Sequence, residues 1–216
     1  MYDTVIFDLD GTLLDTLEDL AASVNAGLSR YTDVRRSLDE VRGFVGNGVR
    51  TLMARSLPGG VENPHYEEAF AVFREHYAVH CRDHTGPYPG IMDMLSILAQ
   101  RGFRMGIVSN KGDREVKSMN HTYFKGIMGA ALGERENVRR KPEPDSLLEA
   151  MKELGAVPER TLYVGDSEVD VQTAFNAGVD LLAVTWGFRS EEQLRSSGAE
   201  HFAHSPEDIA AFLSSC

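Results

Sequence analysis

Asp8 and Asp10 stand two residues apart at the end of the apolar run Val5-Ile6-Phe7, and related chemistry recurs later in Ser109-Asn110, Lys141, Asp166 and Asp170. Buried carboxylates stay ionised only when something compensates them, so this pair calls for a cation or a division of roles. Asp8, Asp10 and Asp166 are hard oxygen donors of the kind Mg2+ accepts in a near-octahedral shell that keeps several waters. Such a cation also lowers the repulsion between a carboxylate nucleophile and a phosphoryl group. Asp170 follows Asp166 by one helical turn and can face the same metal or its water shell. Ser109, with the backbone N–H groups after it, suits phosphate oxygens, and Lys141 suits the charge that builds during phosphoryl transfer. Singly, each has a plainer reading. A D-x-D after a strand can be a turn, Asp170 a helix N-terminal residue, Ser109 a partner for local backbone, and Lys141 part of a basic surface run with Arg139 and Arg140. Lys111 reads as a solvated side chain.

These groups must be positioned by a scaffold, and apolar strands at 5–7, 104–109, 127–132, 161–165 and 180–185 alternate with helical patterns at 91–100, after Asp113, at 145–154 and after Glu168. A last helix starts at Ser205-Pro206 and runs to 213. The alternation predicts an α/β fold with a doubly wound, Rossmann-like parallel sheet. Ligands in such sheets bind at the carboxyl ends of strands, where Asp8, Asp10, Ser109 and Asp166 fall. Lys141-Pro142 precedes the helix that leads into the fourth strand.

A crossover between parallel strands needs little more than a dozen residues, so roughly 70 between the first two strands are surplus. They predict a helical insertion at 16–86, leaving 1–15 and 87–216 as the core. Its first helix carries Leu17, Leu20, Ala21, Val24 and Leu28 on one face, capped by Asp15 or Thr16. A second opens at the capping box Ser37-Leu38-Asp39-Glu40, and a third spans 47–57 before Pro58-Gly59-Gly60. Asn63 is expected to cap the fourth, with Pro64 in its first position and Tyr66, Ala69, Phe70, Phe73 and Tyr77 as its core face. Asn47 and Arg50 are available to an anionic group there, or mark a plain helix boundary. The stretch 43–48 is no dinucleotide loop, because no strand precedes it. His76, His80 and His84 repeat every four residues, but no Glu stands where a zinc-protease helix requires one, and they read as structural.

With 216 residues, 42% hydrophobic and 25% charged, the chain is an ordinary globular one of net charge -11. That charge argues against a nucleic-acid partner, since phosphate contacts need a basic surface. Cys81 and Cys216 form no C-x-x-C pair, so neither a disulfide framework nor a thiolate metal site is implied. The N-terminus lacks a basic leader, and no apolar run reaches membrane-spanning length. A cytoplasmic enzyme with a small phosphorylated substrate and no membrane partner is expected; monomer and homodimer both remain open.

The four motifs Asp8-Leu9-Asp10-Gly11-Thr12, Ser109-Asn110, Lys141-Pro142 and Gly165-Asp166-Ser167-Glu168-Val169-Asp170 resemble, in order, those of the haloacid dehalogenase superfamily. The resemblance implies a helical cap in the insertion and a Mg2+-dependent phosphotransferase. Asp8 would be the nucleophile that forms an aspartyl-phosphate. Asp10 would protonate the leaving oxygen and then activate water. Asp8, Asp166 and the Asp10 carbonyl would hold the metal with Asp170 in support, while Ser109, Asn110 and Lys141 would hold phosphate. Asp10 sets the chain apart from dehalogenases and phosphonate-cleaving members, which lack that second acid. The stretches 43–50, 166–178 and 184–189 look like the phosphoglycolate phosphatase branch, although Ser109 stands where many relatives have Thr. Phosphatases for pyrophosphate, nucleotides or sugar phosphates share much of this pattern. A β-phosphoglucomutase-like phosphomutase and a non-catalytic binding module are the other readings.

Overall fold

The first strand, β1 (Thr4–Phe7), is β-branched or aromatic throughout and wholly buried, which places it in the middle of a sheet covered on both faces. The structure is a computed structural model that describes residues 1–215; Cys216 lies outside the described residues. Two compact units form the chain, Met1–Leu14 with the chain from Pro87 onward, and Asp15–Gly86.

In the first unit β1 pairs in parallel with β4 (Arg104–Gly112) on one side and β6 (Thr161–Gly165) on the other. β5 (Ala130–Glu134) extends the sheet beyond β4, and β7 (Asp180–Val184) and β8 (Phe202–Ala203) extend it beyond β6. The order β5-β4-β1-β6-β7-β8 reverses direction at β1. The helices are α5 (Ile91–Gln100), α6 (Asp113–Tyr123), α7 (Asp145–Leu154), α8 (Glu168–Ala177), α9 (Glu191–Ser196) and α10 (Pro206–Ser215). Ile6, Val108 and Tyr163 share one sheet face with Leu147, Ala150 and Met151 of α7 and Ala174 and Ala177 of α8. The alternate residues Val5, Phe7, Ile107, Leu162 and Val164 are buried as well, so both faces are covered. The doubly wound parallel sheet expected from the alternation is present. The strand expected at 127–132 lies a few residues later, and α9 and β8 were not anticipated.

The second unit holds α1 (Leu17–Leu28), α2 (Leu38–Phe44), α3 (Gly48–Ser56) and α4 (Tyr66–His80). Gly27 lets α1 approach α4, because a Cβ there would lie 2.7 Å from the Ala69 carbonyl. Val24, Leu28, Val41, Leu52, Met53, Phe70 and Phe73 form the interior. Ser37 and Glu40 make the expected capping box. Asn63 does not cap α4: its Oδ1 accepts from His65 N at 2.9 Å, an Asx turn, and the helix begins at Tyr66. Asp19 is buried and accepts from the N–H groups of His84 (3.0 Å) and Thr85 (2.9 Å) and from Thr85 Oγ1 (2.7 Å). At the chain crossings lie two short strands, β2 (Leu14–Asp15) and β3 (Gly86–Pro87), which pair in a separate sheet.

Candidate active site

Adjacent strand ends in the first unit bring the acidic groups together. The β1 ladder continues into Asp8, whose N–H donates to Val164 O at 2.8 Å, and the chain then turns sharply at Gly11. Gly11 has φ +88°, and a Cβ on it would sit 2.4 Å from Asp166 Oδ2. Asp166, just beyond β6, accepts from Thr12 Oγ1 at 3.2 Å and from Phe188 N at 2.7 Å. Asp170, in the first turn of α8, accepts at Oδ2 from Ser167 N (3.1 Å) and Ser167 Oγ (2.6 Å). Its Oδ1 accepts from Lys141 Nζ at 2.7 Å and from the Tyr163 hydroxyl at 2.9 Å. Lys141 Nζ also donates to the Tyr163 hydroxyl at 3.0 Å and lies 2.8 Å from Asp8 Oδ1.

Ser109 and Asn110 end the apolar part of β4 and are both buried. Asn110 Nδ2 donates to the Lys141 carbonyl at 3.0 Å, and Ser109 Oγ accepts from Lys111 N at 3.3 Å. Lys111 overturns the expectation of a solvated side chain. It is buried, and its Nζ donates to Asp10 Oδ1 at 2.8 Å and Oδ2 at 3.1 Å. The cost of burying the Lys111 ammonium is offset by the carboxylate that the turn after β1 supplies.

Asn47 and Arg50 belong to the helical unit. Asn47 precedes α3 without a side-chain capping bond. Arg50 pairs with Glu67 through both Nη atoms (2.9 and 3.3 Å) and lies 4.6 Å from the centre of the Phe70 ring. The His76 and His80 rings lie 4.3 Å apart, and the polar partners of the three histidines differ: Ser23 for His76, Asp83 for His80 and Glu18 for His84.

The electrostatics of the acidic cluster are unbalanced. Burial, and then the nearby Asp170, push the Asp8 carboxyl up to about 7 although Lys141 pulls it down. Burial, with Asp170 and Asp8, pushes Asp166 well above the usual carboxylate range. Asp170 is lowered: burial opposes this, but Lys141 and the bonds from Ser167 and Tyr163 outweigh it. Burial likewise disfavours the Lys141 ammonium, yet Asp170 and Asp8 hold it well above its ordinary value.

With all three ionised, these buried carboxylates against the Lys141 ammonium would carry a surplus of two negative charges, the charge of one divalent cation. Asp8, Asp166 and Asp170 each offer an oxygen, all within 4.8 Å of one another. Asp8 Oδ1 is buried and meets the Lys141 ammonium at 2.8 Å. Among the described residues this is the only group with metal-ligand spacing, and the donor set fits a hard divalent ion. Tyr163 was missed by sequence reasoning; a phenol in an otherwise apolar buried strand, needing a partner for its hydroxyl, was the available signal. Thr12 and Phe188 lie in stretches that the resemblance covers, but nothing in the sequence showed that they hold Asp166.

A doubly wound sheet with buried acids and a lysine at its carboxyl edge, beside the point where strand order reverses, defines an α/β enzyme for anionic substrates. The sequence profile of the haloacid dehalogenase-like hydrolases matches residues 5–184. The phosphoglycolate phosphatase of Pseudomonas putida KT2440 is 35% identical over 222 residues, covering 98% of this chain and 79% of that protein. Phosphoglycolate phosphatase 1 of Pseudomonas aeruginosa PAO1 is 38% identical over 194 residues, 85% of this chain and 70% of that one. A candidate phosphoglycolate phosphatase from Lactobacillus delbrueckii subsp. bulgaricus superposes with TM-score 0.91 at 35% identity over 96% of each chain. The chain belongs to the haloacid dehalogenase-like hydrolases and is an enzyme of their phosphatase type, similar to the phosphoglycolate phosphatases. No helix among the described residues is long and apolar enough to cross a membrane.

Proposed function

We propose that the protein is a cytoplasmic, Mg2+-dependent phosphomonoesterase for a small phosphorylated metabolite, 2-phosphoglycolate, acting through a phosphoryl group carried on Asp8. The observation that carries this reading is the convergence of Asp8, Asp166 and Asp170 within 4.8 Å around a single ammonium. The choice of phosphoglycolate rests on the names of the relatives. Mg2+ would be held by Asp8, Asp166 and the Asp10 carbonyl, and when bound it supplies positive charge for the phosphate oxygens. Asp170 supports that set by fixing Lys141 and Ser167, which already occupy its oxygens together with Tyr163.

In the first step an Asp8 oxygen attacks phosphorus and the bond to the ester oxygen breaks, with Asp10 giving that oxygen a proton. Asp10 then takes a proton from water, whose oxygen attacks phosphorus and releases inorganic phosphate and the Asp8 carboxylate. Ser109 and Asn110 hold phosphate oxygens, and Lys141 orients Asp8 and offsets charge on the transferring group. In this reading residues 16–86 serve as the cap, with Asn47 and Arg50 as its candidates for substrate selection.

Phosphate release from a panel of small esters, with and without Mg2+, tests the proposal beside Asp8→Asn. The wild type should release phosphate only with the metal and prefer 2-phosphoglycolate, while the variant should lose at least about 10³-fold in kcat through loss of the nucleophile. Equal turnover by Asp8→Asn overturns the mechanism, and indifference to 2-phosphoglycolate overturns the substrate.

A further inference from the structure

Lys111 is a buried charge that the steps above leave unused, and it grips the carboxylate they must move. Its Nζ donates to both oxygens of Asp10, at 2.8 and 3.1 Å, with the side chains 2% and 14% exposed. The same carboxyl cannot hold that two-pronged contact and also meet a leaving oxygen, so at least one Asp10 oxygen turns away when substrate arrives. The Lys111 main chain lies in β4 and its N–H is tied to Ser109 Oγ, so its ammonium remains within reach of the place Asp10 leaves. A buried ammonium that loses a carboxylate is strongly disfavoured unless another anion takes the place.

We infer that Lys111 is a specificity-determining residue, whose ammonium takes up a second anionic group of the substrate, a carboxylate one carbon from the ester oxygen, as Asp10 turns to that oxygen. This rests on the phosphatase reading above. The reach is suitable. A leaving oxygen hydrogen-bonded to the Asp10 oxygen that stays on Nζ lies within about 6 Å of Nζ, given ordinary hydrogen-bond lengths. A carboxylate one carbon further along adds on the order of 3 Å of reach, enough to close on the ammonium. The exchange offers the buried cation a substrate carboxylate as the two-pronged Asp10 contact opens, whereas an ester with a neutral leaving group offers it no second anion. Phosphate recognition falls to Ser109, Asn110 and Lys141, so Lys111 is left to read what the phosphate is attached to.

The test compares 2-phosphoglycolate with its neutral isostere 2-phosphoglycolamide, and with pyrophosphate as a different second anion, in the Mg2+-loaded wild type, Lys111→Met and Lys111→Arg. The wild type should favour the carboxylate over the amide in kcat/KM. Lys111→Met should cut that ratio by roughly 10- to 100-fold, the range for losing a hydrogen bond to a charged group, and Lys111→Arg should restore part of it. An unchanged ratio in Lys111→Met, with both substrates slowed alike, overturns the inference and makes Lys111 a positioning residue for Asp10. A wild-type preference for pyrophosphate overturns the carboxylate assignment. Should Lys111→Met not fold, thermal shifts of the wild type with 3-phosphonopropionate and propylphosphonate replace it. A larger shift with the former is expected, and equal shifts overturn the inference. If the wild type hydrolyses no ester, the phosphatase reading fails, while the paired phosphonates still read the anion site.

Discussion

Replacing Lys141 by Met removes the ammonium that touches both Asp8 and Asp170 and leaves the chain volume nearly unchanged. At contact distances of 2.8 and 2.7 Å and an effective dielectric near 20, each pair carries about 6 kcal/mol of Coulomb attraction, most of it offset by desolvation. The net loss on breaking such a buried pair is about 3–5 kcal/mol, or about 6–20 °C in Tm for a chain of this size. The loss should be largest in metal-free protein at pH 8 and shrink toward pH 5.5. Asp8, raised to about 7 by burial, holds a proton in the folded state between the unfolded carboxylate value and about 7, so its ionised form disfavours folding above that range. Without Lys141 both Asp8 and Asp170 lose a lowering influence. They therefore take up protons at higher pH, and the variant regains stability as pH falls. Urea and thermal unfolding in EDTA at the two pH values, repeated with Mg2+, measure this. A destabilisation below about 1 kcal/mol at pH 8, or one that ignores pH, would refute the charge accounting of the site.

Mg2+ and protons compete for Asp8 and Asp166, both raised by burial, so calorimetric Mg2+ affinity should climb as pH rises through about 7; a flat profile between pH 6 and 8 contradicts this. Gly187→Ala would place a Cβ 2.4 Å from Asp166 Cβ and 2.5 Å from the Gly11 carbonyl, and should cost about 1–3 kcal/mol together with metal affinity. Gly43→Ala, in α2 with nothing within 4 Å, should instead stabilise by about 0.4–1 kcal/mol. Urea midpoints for the pair decide it, and equal effects would mean that the approach at Gly187 is not tight.

The candidate site was legible where a polar group interrupts an apolar strand, as at Asp8, Ser109 and Asp166, because a strand end in a parallel sheet is where such a group gains a ligand. Lys111 was not legible. It lies among polar residues at the end of β4, and nothing local announces that Asp10, 101 positions away, will neutralise it. Tyr163 was hidden for the opposite reason, since an aromatic in a buried strand looks like packing until its hydroxyl finds Asp170. The parallel sheet followed from alternation, whereas α9 and β8, six and two residues long, are too short to show a period. At Asn63 an Asx turn uses the same residue types as a helix cap, and only the backbone decides between them.

Both ends of the inserted segment are fastened locally. Within the first unit Tyr88 N donates to Leu13 O at 3.1 Å, so the chain departs and returns at one spot. Within the second, Asp19 grips His84 and Thr85 by its own entrance. Each unit thus closes on itself, and the length of what lies between adds only logarithmically to the entropy of closing the other. The insertion behaves as a cassette. Its length can change at small entropic cost to the first unit, while the sheet that carries the acidic cluster folds through the same strand pairings.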